Sequence, residues 1–305
     1  MTEISDLGPS PFLNGFTLHD FVPAVGPRIR FAKAGTGEPL LLLHGHPQTH
    51  VTWRKIAPEL ARKYTVIAMD LRGYGDSDKP EGGRDHITYS KREMAKDPIA
   101  LMRTLGFDSF HVVGHDRGGR VAHRMALDFP DAVRSVALFD IAPTATMYSL
   151  TDKNFATRYF WWFFLIQPYP LPEKMIGAEP EYFLRHHIGS QIRNEGATEE
   201  AAFREYLRCY LDPATRHAIC EDYRAAATID LEHDKQDDHN RIQAPVLVLW
   251  GAKGFVGQKY DVLQTWQEKA FSVSGRACDC GHTLQEEAPE AVLLELKNFF
   301  ARQIH

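Results

Sequence analysis

Short apolar runs at Pro39 to Leu43, Thr65 to Met69, Phe110 to Val113, Ser135 to Phe139 and Pro245 to Trp250 recur along the chain, with helix-patterned stretches between several of them. Runs this short and this continuously apolar suit strands buried on both faces, and helical crossovers between them require a mostly parallel sheet covered on both sides. A weaker run at Phe271 to Ala277 adds a further strand, and Phe16 to Phe21 with Arg28 to Ala32 reads as an antiparallel opening hairpin. Helical patterns fall at Lys91 to Leu105, Gly119 to Phe129 and Ala288 to Ala301. The alternation stops between about Thr146 and Thr228, where an aromatic stretch, Tyr159 to Phe164, gives way to charged, helix-favouring residues. The expected architecture is α/β: a core of residues 1–145 and 229–305, interrupted by an all-helical cap over 146–228. In such sheets catalytic loops lie at the carboxyl ends of the strands, where this insertion emerges.

A length of 305 residues, 44% of them hydrophobic and 25% charged, suits one large globular domain with an insertion. A net charge of −5 with no basic run gives no case for nucleic acid or a membrane surface. Met1 to Phe16 lacks a basic start and apolar stretch, and no apolar segment approaches the ~18 residues of a membrane span, so a cytoplasmic location is expected. Cys209, Cys220, Cys278 and Cys280 are expected as free thiols. Cys278-x-Cys280-x-His282 lacks a second cluster at zinc-like spacing, so no metal is expected.

The chemistry is concentrated in Gly114-His115-Asp116-Arg117-Gly118, which follows one apolar run and precedes a helical pattern. Small residues two positions either side of a nucleophile permit the sharp strand-to-helix turn that lifts its side chain clear of the sheet. With serine at the centre, such a turn serves acyl transfer. Aspartate at the centre attacks saturated carbon instead, giving an alkyl ester that water must later hydrolyse. The residue type therefore points to halide displacement or epoxide opening.

Enzymes with this turn place the acid and then the histidine later in the chain. His282 follows the last strand-like run, where Gly281 permits the turn that presents it, and neutral imidazole there can take a proton from water. Leu249 to Gly254 offers no acid, whereas the earlier run ends in Asp140, which is assigned to orient His282. Arg117 adjoins the nucleophile and Arg120 lies one helical turn beyond Asp116. Two guanidinium groups there fit a carboxylate substrate, held through paired charge-assisted hydrogen bonds. His44-Gly45-His46-Pro47 ends another strand, so the main-chain N–H groups of His46 and Arg117 are the candidate oxyanion donors.

Through these residues the chain resembles haloacetate dehalogenases of the α/β-hydrolase superfamily, specifically the fluoroacetate dehalogenase group. The resemblance runs nearly end to end. It includes Asp70 to Ser77, Tyr89 to Arg92, His115-Asp116-Arg117-Gly118-Gly119-Arg120, Asp140 to Thr144, Cys220 to Ala225 and Gly281-His282. It implies the α/β-hydrolase fold and displacement of halide from a small anionic 2-halo acid by Asp116. Water then hydrolyses the ester to a 2-hydroxy acid, in a homodimer without a cofactor. It also implies a halide site at Trp161, Trp162 and Tyr223. Trp161 departs from the group's histidine, and His46 stands where phenylalanine is usual. Indole cannot become charged, so chloride and bromide are expected to leave more readily than fluoride.

Other readings use the same residues. An epoxide hydrolase would pair Tyr223 with one of Tyr148, Tyr159, Tyr182, Tyr206 or Tyr210 as proton donors, though Arg117 and Arg120 weigh against it. A non-catalytic small-molecule receptor is opposed by the complete nucleophile, base and acid. A serine esterase has no serine at the turn.

Overall fold

The computed structural model describes residues 2–303. Nine strands form one sheet: β1 (Glu3–Pro9), β2 (Thr17–Val22), β3 (Ile29–Ala34), β4 (Glu38–Leu43), β5 (Tyr64–Met69), β6 (Phe110–His115), β7 (Val133–Phe139), β8 (Val246–Gly251) and β9 (Val273–Cys278). Their order is β1-β2-β3-β5-β4-β6-β7-β8-β9. The strands from β5 to β9 across the sheet pair in parallel, while β1, β2 and β3 pair antiparallel.

The apolar runs form the centre of the sheet because both faces are covered. Leu41 and Leu43 enter one core layer while Leu40 and Leu42 enter the other, and Ile67 and Met69 likewise oppose Val66 and Ala68. Successive side chains point to opposite faces, so a strand with two buried faces needs apolar residues at every position. The opening strand β1 was missed by the sequence reading. It sits at the sheet edge with no buried residue, and a register shift between Asp6 and Gly8 interrupts its pairing with β2. An exposed, bulged edge carries no apolar alternation to recognise.

Topology positions the site. β4 pairs with β5 on one side and β6 on the other, so the chain direction across the sheet reverses there. Crevices at such a switch point open at the carboxyl ends of the strands. Leu43 pairs with Gly114, which sets His44-Gly45-His46 beside Asp116. Between β7 and β8 every regular element is a helix, from Thr144–Ser149 to Ile229–Gln236. The expected cap limits fall inside the first of these helices and at Thr228, between Pro213–Ala227 and Ile229–Gln236.

Two buried carboxylates join cap and core. Asp222, on the cap helix Pro213–Ala227, accepts from Tyr74 Oη at 2.6 Å, from Arg117 and from Lys91. Glu286, on the core side, accepts from Arg54 at 2.9 Å and from cap residues Tyr206 (2.6 Å) and Thr198. The four cysteines are unpaired and buried. No helix among the described residues is long and apolar enough to cross a membrane.

Candidate active site

Asp116 opens the helix Asp116–Asp128 directly from β6, with φ 46° in the left-handed region. A side chain in that region is held there by its surroundings. A Cβ on Gly118 would lie 2.3 Å from the Leu43 carbonyl oxygen, and one on Gly114 would lie 2.6 Å from that of Gly118. The turn thus has no room for larger residues at either small position.

Around this turn the structure brings the expected groups together. His46 donates its main-chain N–H to Asp116 Oδ2 at 3.0 Å. His282 Nδ1 lies 2.6 Å from Asp140 Oδ2, and the other oxygen of Asp140 accepts from the Gly251 N–H at 2.8 Å. Asp140 also has a positive φ, 49°, so both carboxylates occupy constrained backbone. His115, which the sequence reading gave no role, has its Nε2 2.9 Å from the His282 carbonyl and so anchors the loop that carries His282.

Burial alone would raise the Asp116 carboxyl, but His282, His115, Arg117 and Arg120 outweigh it and hold the group below its ordinary range. Burial would conversely lower His282. Its hydrogen bond to Asp140 and the charges of Asp140 and Asp116 carry it above 6.5 instead. His46 and His115 lack such a partner, and burial pushes each down to about 3. The surroundings therefore favour an ionised Asp116, a basic His282 and neutral His46 and His115.

The arginines differ from expectation in what they hold. Arg117 is fully buried, and its Nε and Nη2 grip Asp222 at 2.9 and 2.8 Å, with Nη2 also reaching the Asp222 carbonyl. Arg120 donates through Nη1 to Ala142 O (3.1 Å) and Thr144 Oγ1 (2.8 Å). Neither presents a free fork. Each retains one buried nitrogen without a partner, Nη1 of Arg117 and Nε of Arg120. The anchoring partner Asp222 lies 105 residues beyond Arg117 on the cap, and nothing local in the sequence links the two.

The cap aromatics close over this pair. Arg117 stacks on Tyr223 at 4.2 Å and Arg120 on Trp162 at 4.9 Å. Trp161 lies instead against Tyr159 and His187, with ring centroids 4.7 and 4.5 Å away. A cavity of about 20 Å³, bounded by Tyr159, Trp161, Gln191 and His282 and flanked by Arg158 and Arg193, adjoins the base. That is room for one water. A wider groove by Arg72 and Lys79 shares no residue with the site.

Residues 38–289 match the family model described as the alpha/beta hydrolase fold. The chain is 43% identical over 274 residues to a fluoroacetate dehalogenase of a Burkholderia species, covering 90% of each. It belongs to the haloacetate dehalogenase group of the α/β-hydrolase superfamily. The superfamily's other branches lie near: a soluble epoxide hydrolase of a Corynebacterium strain is 34% identical, covering 90% of this chain and 94% of its own. A crystal structure of a Salmonella enterica protein provisionally called an acyltransferase superposes with a TM-score of 0.97 at 59% identity, covering 98% of this chain and 99% of the other. In this chain the carboxylate set against His282 is Asp140, directly after β7.

Proposed function

We propose that this hydrolase displaces halide from 2-haloacetates and releases the 2-hydroxy acid. The observation that carries the reading is the pair of buried, unpartnered guanidinium nitrogens, Arg117 Nη1 and Arg120 Nε, beside an ionised Asp116. Unpartnered buried donors on cations call for an anion, and a substrate carboxylate supplies one. One N–H from each arginine can then fix that carboxylate and set the α-carbon in line with Asp116.

Attack by an Asp116 oxygen forms the carbon–oxygen bond as the carbon–halogen bond breaks, and the halide leaves with the electron pair towards Trp161, Trp162 and Tyr223. His282, held by Asp140, takes a proton from water as that water adds to the Asp116 carbonyl carbon. The His46 N–H, with that of Arg117, stabilises the oxyanion. Collapse releases the hydroxy acid with an Asp116 oxygen as its hydroxyl. Asp116 keeps the oxygen of water, and His282 returns its proton. We further propose the division into a 1–145 and 229–305 core with a 146–228 cap, and a homodimeric assembly.

A second reading has its own support. Tyr148 and Tyr159 each bury a hydroxyl without a partner, and either could join Tyr223 in protonating an opening epoxide. Halide release from chloroacetate and fluoroacetate, against Asp116→Asn protein as blank, decides between the two. Chloride release well above the blank is expected. Turnover of styrene oxide with no halide from either haloacetate would overturn the dehalogenase reading.

A further inference from the structure

His187 lies on the cap helix Pro180–Gln191 and is 2% exposed. One turn further on, Gln191 places its amide nitrogen 3.0 Å from His187 Nε2 and 3.3 Å from the His187 carbonyl oxygen. A carbonyl only accepts, so the Gln191 nitrogen is the donor in both contacts. Nε2 of His187 is thereby the acceptor. Burial, with His46 and His282 nearby, holds the ring well below 6.5 and so neutral. A neutral imidazole that accepts at Nε2 carries its proton at Nδ1. That Nδ1–H is buried and has no partner.

The ring's neighbours show where this donor sits. Its centroid is 4.5 Å from Trp161 and 4.7 Å from His46, edge to face in both cases. His46 in turn packs 5.5 Å from Tyr223, with both ring nitrogens unpartnered, and its main chain holds Asp116. The two imidazoles thus span the gap between Trp161 and Tyr223. Two neutral polar rings are placed where a purely apolar wall would pack at lower cost, since each buries nitrogen without a hydrogen bond.

We propose that His187 is a specificity-determining residue of the halide pocket, its Nδ1–H supplying a hydrogen bond to the departing halide that Trp161 leaves unfilled. This rests on the haloacetate reading above. His46 forms the wall that holds the His187 ring edge-on to Trp161.

The test compares kcat/KM for chloroacetate and bromoacetate, a parameter that ends at halide departure and is blind to ester hydrolysis. Chloride is the poorer leaving group and depends more on donors. His187→Phe should lower kcat/KM about tenfold for chloroacetate, the effect of one hydrogen bond, and by less for bromoacetate, so the chloride-to-bromide ratio falls severalfold. His187→Asn, whose amide nitrogen falls where Nδ1 does, should restore the ratio. His187→Gln, whose nitrogen falls at Nε2, should not. A packing defect would depress both substrates alike, so an unchanged ratio in His187→Phe overturns the proposal, as does equal rescue by Asn and Gln. If the unsubstituted protein releases neither halide above the Asp116→Asn blank, the haloacetate reading itself has failed.

Discussion

At the scale of single residues, the proposed mechanism requires opposite protonation behaviour of Asp116 and His282 at different steps. Alkylation needs Asp116 ionised, and its surroundings hold the carboxyl below the usual range. Ester hydrolysis needs His282 neutral, yet its surroundings favour the proton. The acid limb therefore belongs to kcat, set by His282 as pH falls, while kcat/KM stays flat well below pH 6.5. Once the ester forms, the Asp116 charge that helps raise His282 disappears, which moves that limb acidward of the free enzyme's value. Stability has the reverse sign. The favoured His282 proton stabilises the fold below its unfolded pKa of about 6.5, and this contribution is lost as pH rises through the raised folded value. Steady-state profiles of both parameters check the first claim. An acid limb on kcat/KM as steep as that on kcat would contradict it. In His282→Gln protein the ester should persist, detectable as haloacetate-dependent mass on the peptide that contains Asp116.

At the scale of elements, each layer sends one buried carboxylate to the other, and their networks differ in charge. Asp222 neutralises two buried cations: Lys91, which also pairs with Asp230 at 3.4 Å, and Arg117, which has no other carboxylate partner among the described residues. Glu286 faces only one, Arg54, which also pairs with Glu199. Asp222→Asn should cost about 3–5 kcal/mol in urea unfolding, since it strands buried charge. Glu286→Gln should cost only about 1–3 kcal/mol, the range for a buried hydrogen-bond partner. Asp222→Asn should also raise KM, because Arg117 is released from its anchor. Equal losses in the two variants would undo this ranking. The same elements show what the sequence could convey. Asp116 and Asp140 were placed in the sequence because each follows a strand with a local, continuous apolar run, and His282 because it follows a weaker last run through the turn at Gly281. Asp222, Lys91, Tyr74 and His187 were not legible as site components, because they meet the turn only through the docking of cap on core. A buried charge on an amphipathic helix looks like a surface charge until its partner is known. One histidine among fifteen carries no mark of its position.

At the scale of the whole molecule, the proposed haloacetate reading requires a chain of net charge −5 to admit an anion. The long-range field opposes the approach, so the mouth has to counter it locally. The cavity beside His282 is flanked by Arg158 and Arg193. Arg158 bonds Gln258 and Arg193 bonds the carbonyls of Ser190 and Ile192, so neither has a carboxylate partner among the described residues. Arg193 is exposed and Arg158 half-buried beside the loop that carries His282. With room for a single water there, substrate entry by this route is expected to need the cap to loosen, and a raised local anion concentration would shorten the wait for each opening. Replacing both arginines with glutamine should lower kcat/KM severalfold at ~10 mM salt, where the screening length is ~30 Å, and hardly at all near 1 M, where it is ~3 Å. Neither side chain hydrogen-bonds Asp116 or His282, so kcat should hold. The salt dependence of kcat/KM for chloroacetate measures this directly. Parallel curves for the double variant and the unsubstituted protein would mean that the anion reaches Asp116 by another path.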